Sequence, residues 1–218
     1  MNPIPAASVV DPDQPNVIGS RSRRIGWGVV TVLSVVIGAY AVAVVASNFA
    51  LVAGEVSANR FPTPLGLRVH IVASGLALLI GPFQFLRALR NRAPRVHRWM
   101  GRTYVLACLI GGLAGGSIAL FSSAGLVAGF GFFALAVAWL FCTVRAYLAV
   151  RAHDYVTHQQ WMIRSFALTF AAVMLRVYIP LALVTGIGYE ASYPAIAWLC
   201  WVPNLVVAQF LVRSARGV

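Results

Sequence analysis

The feature that most constrains this chain is a series of six apolar runs, each close to the length of one membrane-spanning helix. The runs cover residues 26–49, 67–86, 99–121, 126–148, 161–183 and 193–212. The only charge deep inside them is Arg176, in the fifth run. A helix needs about 20 mostly apolar residues to cross the hydrocarbon core of a bilayer, which is about 30 Å thick. The sequence therefore predicts an all-α membrane protein, a bundle of six transmembrane helices.

The charges lie in short clusters between these runs, and their distribution predicts an orientation. All 17 basic residues are arginine, against 5 acidic residues, so the net charge is +12. If the helices alternate in direction, one side of the membrane receives the arginines of segments 21–24, 87–102, 145–164 and 213–216. Because short arginine-rich loops stay in the cytoplasm, both termini are predicted to be cytoplasmic. The same loops are expected to contact anionic lipid headgroups, and no basic stripe with interleaved aromatic residues indicates nucleic-acid binding.

The chain divides into four predicted segments. Residues 1–24 lack apolar periodicity and are predicted to form a disordered cytoplasmic tail. Residues 25–49 form the first transmembrane helix, 67–183 a core of four transmembrane helices, and 193–218 the last helix with a short tail. Residues 41–43 have the small-residue pattern of a signal-peptidase site, but the apolar run is too long for a signal peptide, so an uncleaved helix is predicted.

Polar side chains follow one face of the fifth run and predict a binding site inside the membrane. Ser165, Thr169 and Arg176 follow His158 at offsets of 7, 11 and 18 residues, which brings all four to one side of a helix. A guanidinium within an apolar run requires an anion or water, or must reach the interface along its flexible stem. Two interpretations thus stay open: a small anionic ligand bound at Arg176, or an arginine that extends to the membrane surface without a ligand.

His70 and Gln84 lie on a similar stripe of small and polar residues in the second run. His70 is at a depth close to that of Arg176, so the two residues are candidates for a shared ligand site in the outer leaflet. The alternative is a histidine that simply lies at the level of the headgroups.

His97 and His158 open the third and fifth runs at the cytoplasmic side. Two neutral imidazoles from different helices can hold the iron of one b-type haem, with arginines near the haem propionates. The candidate arginines are Arg98, Arg102 and Arg164. The alternatives are a divalent metal bound with the help of His153 and Asp154, helix capping, and contacts with phospholipid headgroups.

Several kinds of site are excluded by what the sequence lacks. Cys108, Cys142 and Cys200 lie in separate apolar runs without C-x-x-C spacing, so neither a zinc site nor a redox pair is indicated. No Walker loop, H-E-x-x-H or G-x-S-x-G motif is present, and no acid lies inside an apolar run. The usual signatures of ATPases, intramembrane zinc proteases, hydrolases and carboxylate proton relays are therefore absent.

Glycines and prolines in the runs make further predictions about packing. Gly111, Gly112, Gly115 and Gly116 present small residues four apart, which allows another helix backbone to approach closely. Pro82 and Pro203 are predicted to kink or break their helices, since neighbouring helices can satisfy the freed carbonyls.

The arrangement of these motifs resembles a bacterial integral-membrane family known as domain of unknown function, number twenty-three-oh-six. The resemblance covers about residues 67–183 and depends on His70, Gly81-Pro82-Phe83-Gln84-Phe85, His97-Arg98-x-x-Gly101-Arg102-x-Tyr104, His158-x-x-Trp161-Met162-Ile163-Arg164-Ser165 and Leu175-Arg176. It implies a multi-pass inner-membrane protein without an established activity. A weaker likeness connects the chain to the ascorbate-reducible transmembrane cytochromes b, which hold two haems between two histidine pairs. This chain offers one such pair, His97 and His158.

Two functional hypotheses result. The first is a polar intramembrane site that binds one b-type haem in a redox role. The second is a haem-free small transporter or lipid-interacting accessory protein, in which Arg176 meets an anionic substrate.

Overall fold

The computed structural model describes residues 21–47, 64–121 and 125–214, and within this part of the chain it is helical and contains no strand. The elements are α1 (Arg21–Ala46), α2 (Pro64–Ile80), a 3-10 helix (Gly81–Phe85), α3 (Arg87–Arg92), α4 (Pro94–Leu120), α5 (Leu126–Arg151), α6 (Tyr155–Thr169), α7 (Ala171–Val184), α8 (Tyr189–Leu199) and α9 (Val202–Ser214). Most of the predicted tail, residues 1–20, lies outside the described part.

Within the described residues, six helical spans are long and apolar enough to cross a membrane, which confirms the predicted fold class. The spans are Arg24–Ala46, Leu65–Phe85, Pro94–Leu120, Leu126–Arg151, Tyr155–Val184 and Tyr189–Ser214. Two names are used for the ends of the bundle. The base is the end at which α4 and α6 begin, and the top is the end at which α2 and α8 begin. Most large side chains on the outer surface are apolar, as the lipid-facing surface of a membrane protein requires.

The core of the bundle lies between α4, α5 and α6. Helix α4 packs against α2 on one side and α5 on the other, α5 packs against α6, and α1 covers α2. Helices α8 and α9 pack against α5 and α6, respectively. The side chains buried deepest in this centre include Tyr104, Cys108 and Ala146.

The glycines of α4 allow this close packing, as predicted from the sequence. A Cβ atom added at Gly111 would lie 2.8 Å from Ser74 Oγ and 3.2 Å from the Ser74 backbone nitrogen. One added at Gly112 would lie 2.8 Å from Leu140. Helix α4 therefore accepts the backbone of α2 at Gly111 and a leucine side chain of α5 at Gly112.

Three of the spans are interrupted. Pro82 lies in the 3-10 helix that ends the second span, and Pro203 lies in the first turn of α9, after a break at Cys200 and Trp201. Both interruptions were predicted. The break at Phe170 between α6 and α7 was not, and no proline or glycine marks it. The predicted arginine-rich loop after the second span is itself mostly helical, as α3 and the first turns of α4.

Candidate functional site

His97 and His158 lie on the facing sides of α4 and α6 at the base. Higher in the bundle, Tyr104 Oη is 3.1 Å from Ser165 Oγ, which fixes the faces by which these two helices meet. His97 lies seven residues before Tyr104 on α4, and His158 lies seven residues before Ser165 on α6. Each histidine is therefore on the same face of its helix as that later residue, about 10 Å closer to the base. His97 and His158 are also within electrostatic range of each other. The packing thus brings together the two imidazoles that the sequence singled out.

The hydrogen bonds leave a ring nitrogen of each histidine open. His158 Nδ1 lies 2.9 Å from the Ala146 carbonyl oxygen, and because a carbonyl only accepts, this nitrogen carries the proton. Nε2 of a neutral His158 therefore holds a lone pair. His97 Nδ1 is buried and has no hydrogen-bond partner among the described residues.

Gln84 adds a second unpartnered polar group near His97. The 3-10 helix places its amide against Gly101, where an added Cβ would lie 3.2 Å from Gln84 Oε1. Gly101 is one helical turn beyond His97 on α4. Gln84 is 7% exposed, and its Nε2 has no partner among the described residues. Buried polar groups are nearly always hydrogen-bonded. Two unpartnered atoms in the same region, Gln84 Nε2 and His97 Nδ1, therefore indicate a candidate place for a ligand.

The candidate arginines lie around this end of the bundle, but with different surroundings. Arg98 and Arg102 are exposed on α4, and the Arg102 guanidinium stacks over Trp99 at 5.2 Å from the ring centroid. Arg164 donates from Nε and Nη2 to Gln209 Oε1, at 3.0 and 2.7 Å. Arg164 therefore ties α6 to α9 in addition to any contact with a ligand.

Ser165 and Thr169 lie within a buried network of hydroxyl groups in the middle of the bundle. Tyr104 Oη is 2.8 Å from Thr169 Oγ1, to which Trp139 Nε1 donates at 2.9 Å. Thr143 Oγ1 is 2.7 Å from Ser165 Oγ, and Thr169 Oγ1 also donates to the Ser165 carbonyl at 3.0 Å. The sequence did not predict three members of this network as site residues: Tyr104, Trp139 and Thr143. Polar or aromatic side chains four apart on two helices, Trp139 with Thr143 and Ser165 with Thr169, were the available signal.

A Tyr104→Phe substitution measures what this network contributes to stability. It removes the hydroxyl that joins α4 to α6 while keeping the ring, so we expect a loss of about 0.5–2 kcal/mol in the free energy of unfolding. The measurement is a denaturant titration in mixed micelles. Tyr147→Phe is the matched control, because Tyr147 is exposed on α5 and its change should be within about 0.5 kcal/mol. Equal values for the two variants would show that the network adds no stability.

His70 is inserted between α2 and α4 near the top of the bundle. Its Nδ1–H donates to the Gly111 carbonyl oxygen at 2.8 Å. An added Cβ at Gly115 would lie 2.6 Å from the same nitrogen, so only glycine leaves room for the imidazole here. The ring orientation is thereby set by the backbone of α4.

Arg176 lies on α7, within electrostatic range of His70, Tyr40 and Tyr193. Its Nη1 donates to the Ala172 carbonyl oxygen at 3.0 Å. No carboxylate among the described residues forms an ion pair with it. His70 and Arg176 therefore lie at the same end of the bundle, within electrostatic range of each other.

The polar stripe of the fifth span is thus divided into three parts. The histidine pair lies at the base, the closed hydroxyl network lies in the middle, and Arg176 with His70 lies at the top. His158 and Arg176 are 18 residues apart, a separation of about 27 Å along a helix. The structure therefore contains two candidate sites at opposite ends of the bundle.

The residues considered for a divalent metal have other roles. His153 is exposed and adopts a left-handed conformation with φ 59°. Asp154 caps α6, and the hydrogen bond from the Thr157 backbone N–H holds the pKa of its carboxyl below the usual value. Among the described residues, no group of three or more His, Cys, Asp or Glu side chains is arranged to hold a metal ion.

Comparison with known proteins identifies a family. A family model described as predicted membrane protein (DUF2306) matches residues 67–212, about two thirds of the chain. The match extends beyond the core of four helices to the last span. Neither the curated proteins nor the solved structures contain a significant match.

Proposed function

The chain belongs to the DUF2306 family of membrane proteins, and from this premise we propose that it holds one b-type haem between His97 and His158 and takes part in electron transfer. The observation that carries the proposal is the pair of facing imidazoles, each with an open ring nitrogen. The reaction partner that accepts or supplies the electron is not specified by the site.

The hydrogen bond of His158 fits a histidine that would hold a haem iron. A metal-bound histidine almost always donates its other ring N–H to a carbonyl or carboxylate, which fixes its orientation and raises its basicity. His158 makes this bond to Ala146 in the 2.9 Å contact described above. His97 Nδ1 is buried and has no hydrogen-bond partner among the described residues, so a group bound at this place would supply the contact that it lacks.

The surrounding residues supply the polar contacts that such a group needs. Gln84 Nε2 is a buried donor beside His97, suited to an acceptor on the bound group. Arg98 and Arg102 are exposed on the first turns of α4, where guanidinium groups could pair with carboxylates that reach the membrane surface. A bound haem would supply reversible one-electron chemistry, with a potential that depends on the residues that hold it and on burial.

We further propose that the base of the bundle faces the cytoplasm of a bacterial cell, with the protein in the inner membrane. The described arginines of α3 and of the first turns of α4 are exposed there, and short loops with such clusters stay on the cytoplasmic side. Both termini would then be cytoplasmic. The same arginines would contact anionic headgroups.

The test is a reduced-minus-oxidised visible absorption spectrum of the purified protein. The protein is produced with haem precursor supplied, extracted in detergent, and its haem quantified as the pyridine haemochrome. The expected result is a reducible b-type spectrum at about one haem per chain, the number that one histidine pair can hold. A folded, monodisperse protein without this spectrum would overturn the proposal.

A haem-free role is the second candidate, and one observation favours it. Arg176 is a cation inside a span without a carboxylate partner among the described residues, as a small transporter or lipid-interacting accessory protein would require for an anionic substrate. Haem binding and an anion at Arg176 are compatible, because the two sites lie at opposite ends of the bundle.

A further inference from the structure

Four helices bring polar side chains to one depth around Arg176. Counted along the helix axes, Tyr40 of α1, His70 of α2, Arg176 of α7 and Tyr193 of α8 lie about 6 to 12 Å below the top ends of their helices. Helix α7 packs against both α1 and α8. Arg176 is therefore on a helix between those of Tyr40 and Tyr193, and it is within electrostatic range of both phenols and of the His70 imidazole.

The charge of this cluster is not balanced within the described part of the chain. The described polar neighbours of Arg176 are two phenols, one histidine and a backbone carbonyl, and none of them is an acid. A guanidinium carries five N–H donors, and the structure records one of them in a hydrogen bond, from Nη1 to Ala172. A charge at this depth is costly unless an anion or water accompanies it.

The position of the cluster favours an anion at the level of lipid headgroups. The fifth span, Tyr155–Val184, has 30 residues and is about 45 Å long, close to the thickness of a whole bilayer with its headgroups. Arg176, about 12 Å from its top end, then lies just inside the hydrocarbon boundary. Tyr40 is 39% exposed on the lipid-facing side of α1, so the cluster is open toward the lipid.

We propose that Arg176, Tyr193, Tyr40 and His70 form a binding site for a phosphate group at the top of the bundle. Arg176 supplies the charge and a planar set of donors that suits a phosphate. The two phenol hydroxyls can donate to further phosphate oxygens, which is why a tetrahedral oxyanion fits this set better than a carboxylate. The phosphate is that of a phospholipid headgroup or of free inorganic phosphate, and both sources carry the same recognised chemistry.

The two sources are separated by two measurements on the full-length protein. The first is native mass spectrometry of delipidated protein after addition of dioleoyl phosphatidylglycerol, with dioleoylglycerol, which lacks the phosphate, as the matched lipid. The second is the midpoint of thermal unfolding in inorganic phosphate against chloride at equal ionic strength. A retained phosphatidylglycerol without a site-specific response to inorganic phosphate identifies the lipid. A phosphate-induced rise in the midpoint that is lost in Arg176→Gln identifies the free anion, because phosphate also stabilises folded proteins without a specific site.

Arg176→Gln is the decisive variant. We expect it to weaken binding of the responding probe at least about tenfold, since a charge-assisted contact in this setting contributes more than one neutral hydrogen bond. Arg68→Gln is the control, because Arg68 is an exposed arginine near the top that lies in a separate groove between α2 and α4. It should bind the probe as the unchanged protein does.

A second variant keeps the proposal testable if Arg176→Gln does not fold. Tyr193→Phe removes only a hydroxyl and keeps the stacking on Tyr189, whose ring centroid is 4.6 Å away. We expect a severalfold weaker binding of the probe. The proposal is overturned if neither probe binds, or if both variants bind as tightly as Arg68→Gln. Because haem content is read from the absorption spectrum, failure of this site and failure of the haem proposal are distinguishable.

Discussion

Replacing either His97 or His158 by alanine is expected to abolish the b-type haem spectrum of the purified protein. Each substitution removes one of the two imidazoles that would hold the proposed haem. Loss of even a group that only hydrogen-bonds to a metal ligand lowers metal affinity by about 10- to 100-fold, so loss of the ligand itself should reduce retained haem at least about tenfold. The measurement is the pyridine haemochrome content per chain, with the free energy of unfolding determined in parallel.

His153→Ala is the matched control for this experiment. His153 is also a histidine at the base, but it is exposed and lies in the turn between α5 and α6. Its replacement should leave the haem content unchanged. If the three alanine variants all retained the full spectrum, any haem would be held elsewhere, and the histidine pair would be a structural feature of the α4–α6 contact.

Replacing Gly111 by valine is expected to have the largest effect on stability. The added Cβ would lie 3.2 Å from a backbone atom of α2, and a backbone atom cannot rotate away as the end of a flexible side chain can. Overpacking commonly costs about 1–3 kcal/mol and sometimes more, and the upper part of this range applies here because two helices must separate. Their separation would also lengthen the 2.8 Å bond from His70 Nδ1 to the Gly111 carbonyl.

Gly28→Val on α1 is the control that separates crowding from the general effect of valine in a helix. A Cβ at Gly28 meets nothing within 4 Å. We therefore expect a change within about 0.5 kcal/mol for Gly28→Val in a denaturant titration of the same detergent preparation. Since valine has a higher helix propensity than glycine, a similar loss in both variants would mean that a general effect of the added side chain, and not the approach of α2 to α4, explains the result.

Much of the candidate base site was accessible from the sequence because it follows from helix periodicity. His97 and His158 each open a span, and their chemistry suggested a shared ligand before any packing was known. Gln84 was found as part of a polar stripe. Its burial against Gly101 without a partner for Nε2 depends on the turn of the 3-10 helix, which no periodic pattern describes.

The hydroxyl network was not found as a unit because it depends on three helices at once. Ser165 and Thr169 were assigned to a ligand stripe, since their offsets on α6 were visible. Their partners Tyr104 and Thr143 lie on α4 and α5, and sequence spacing contains no information about which faces of different helices meet.

The sequence by itself determined the all-helical membrane class, the number and approximate positions of the described spans and the close approach of helices at the α4 glycines. These are local properties: the length of an apolar run, the cost of charge in lipid and the size of a side chain act within one helix or along one face. Only the tertiary structure decided that His97 faces His158, that Arg176 lies among Tyr40, Tyr193 and His70, and that a closed network separates the two ends. The physical reason is that helix order and rotation depend on packing summed over all neighbouring helices.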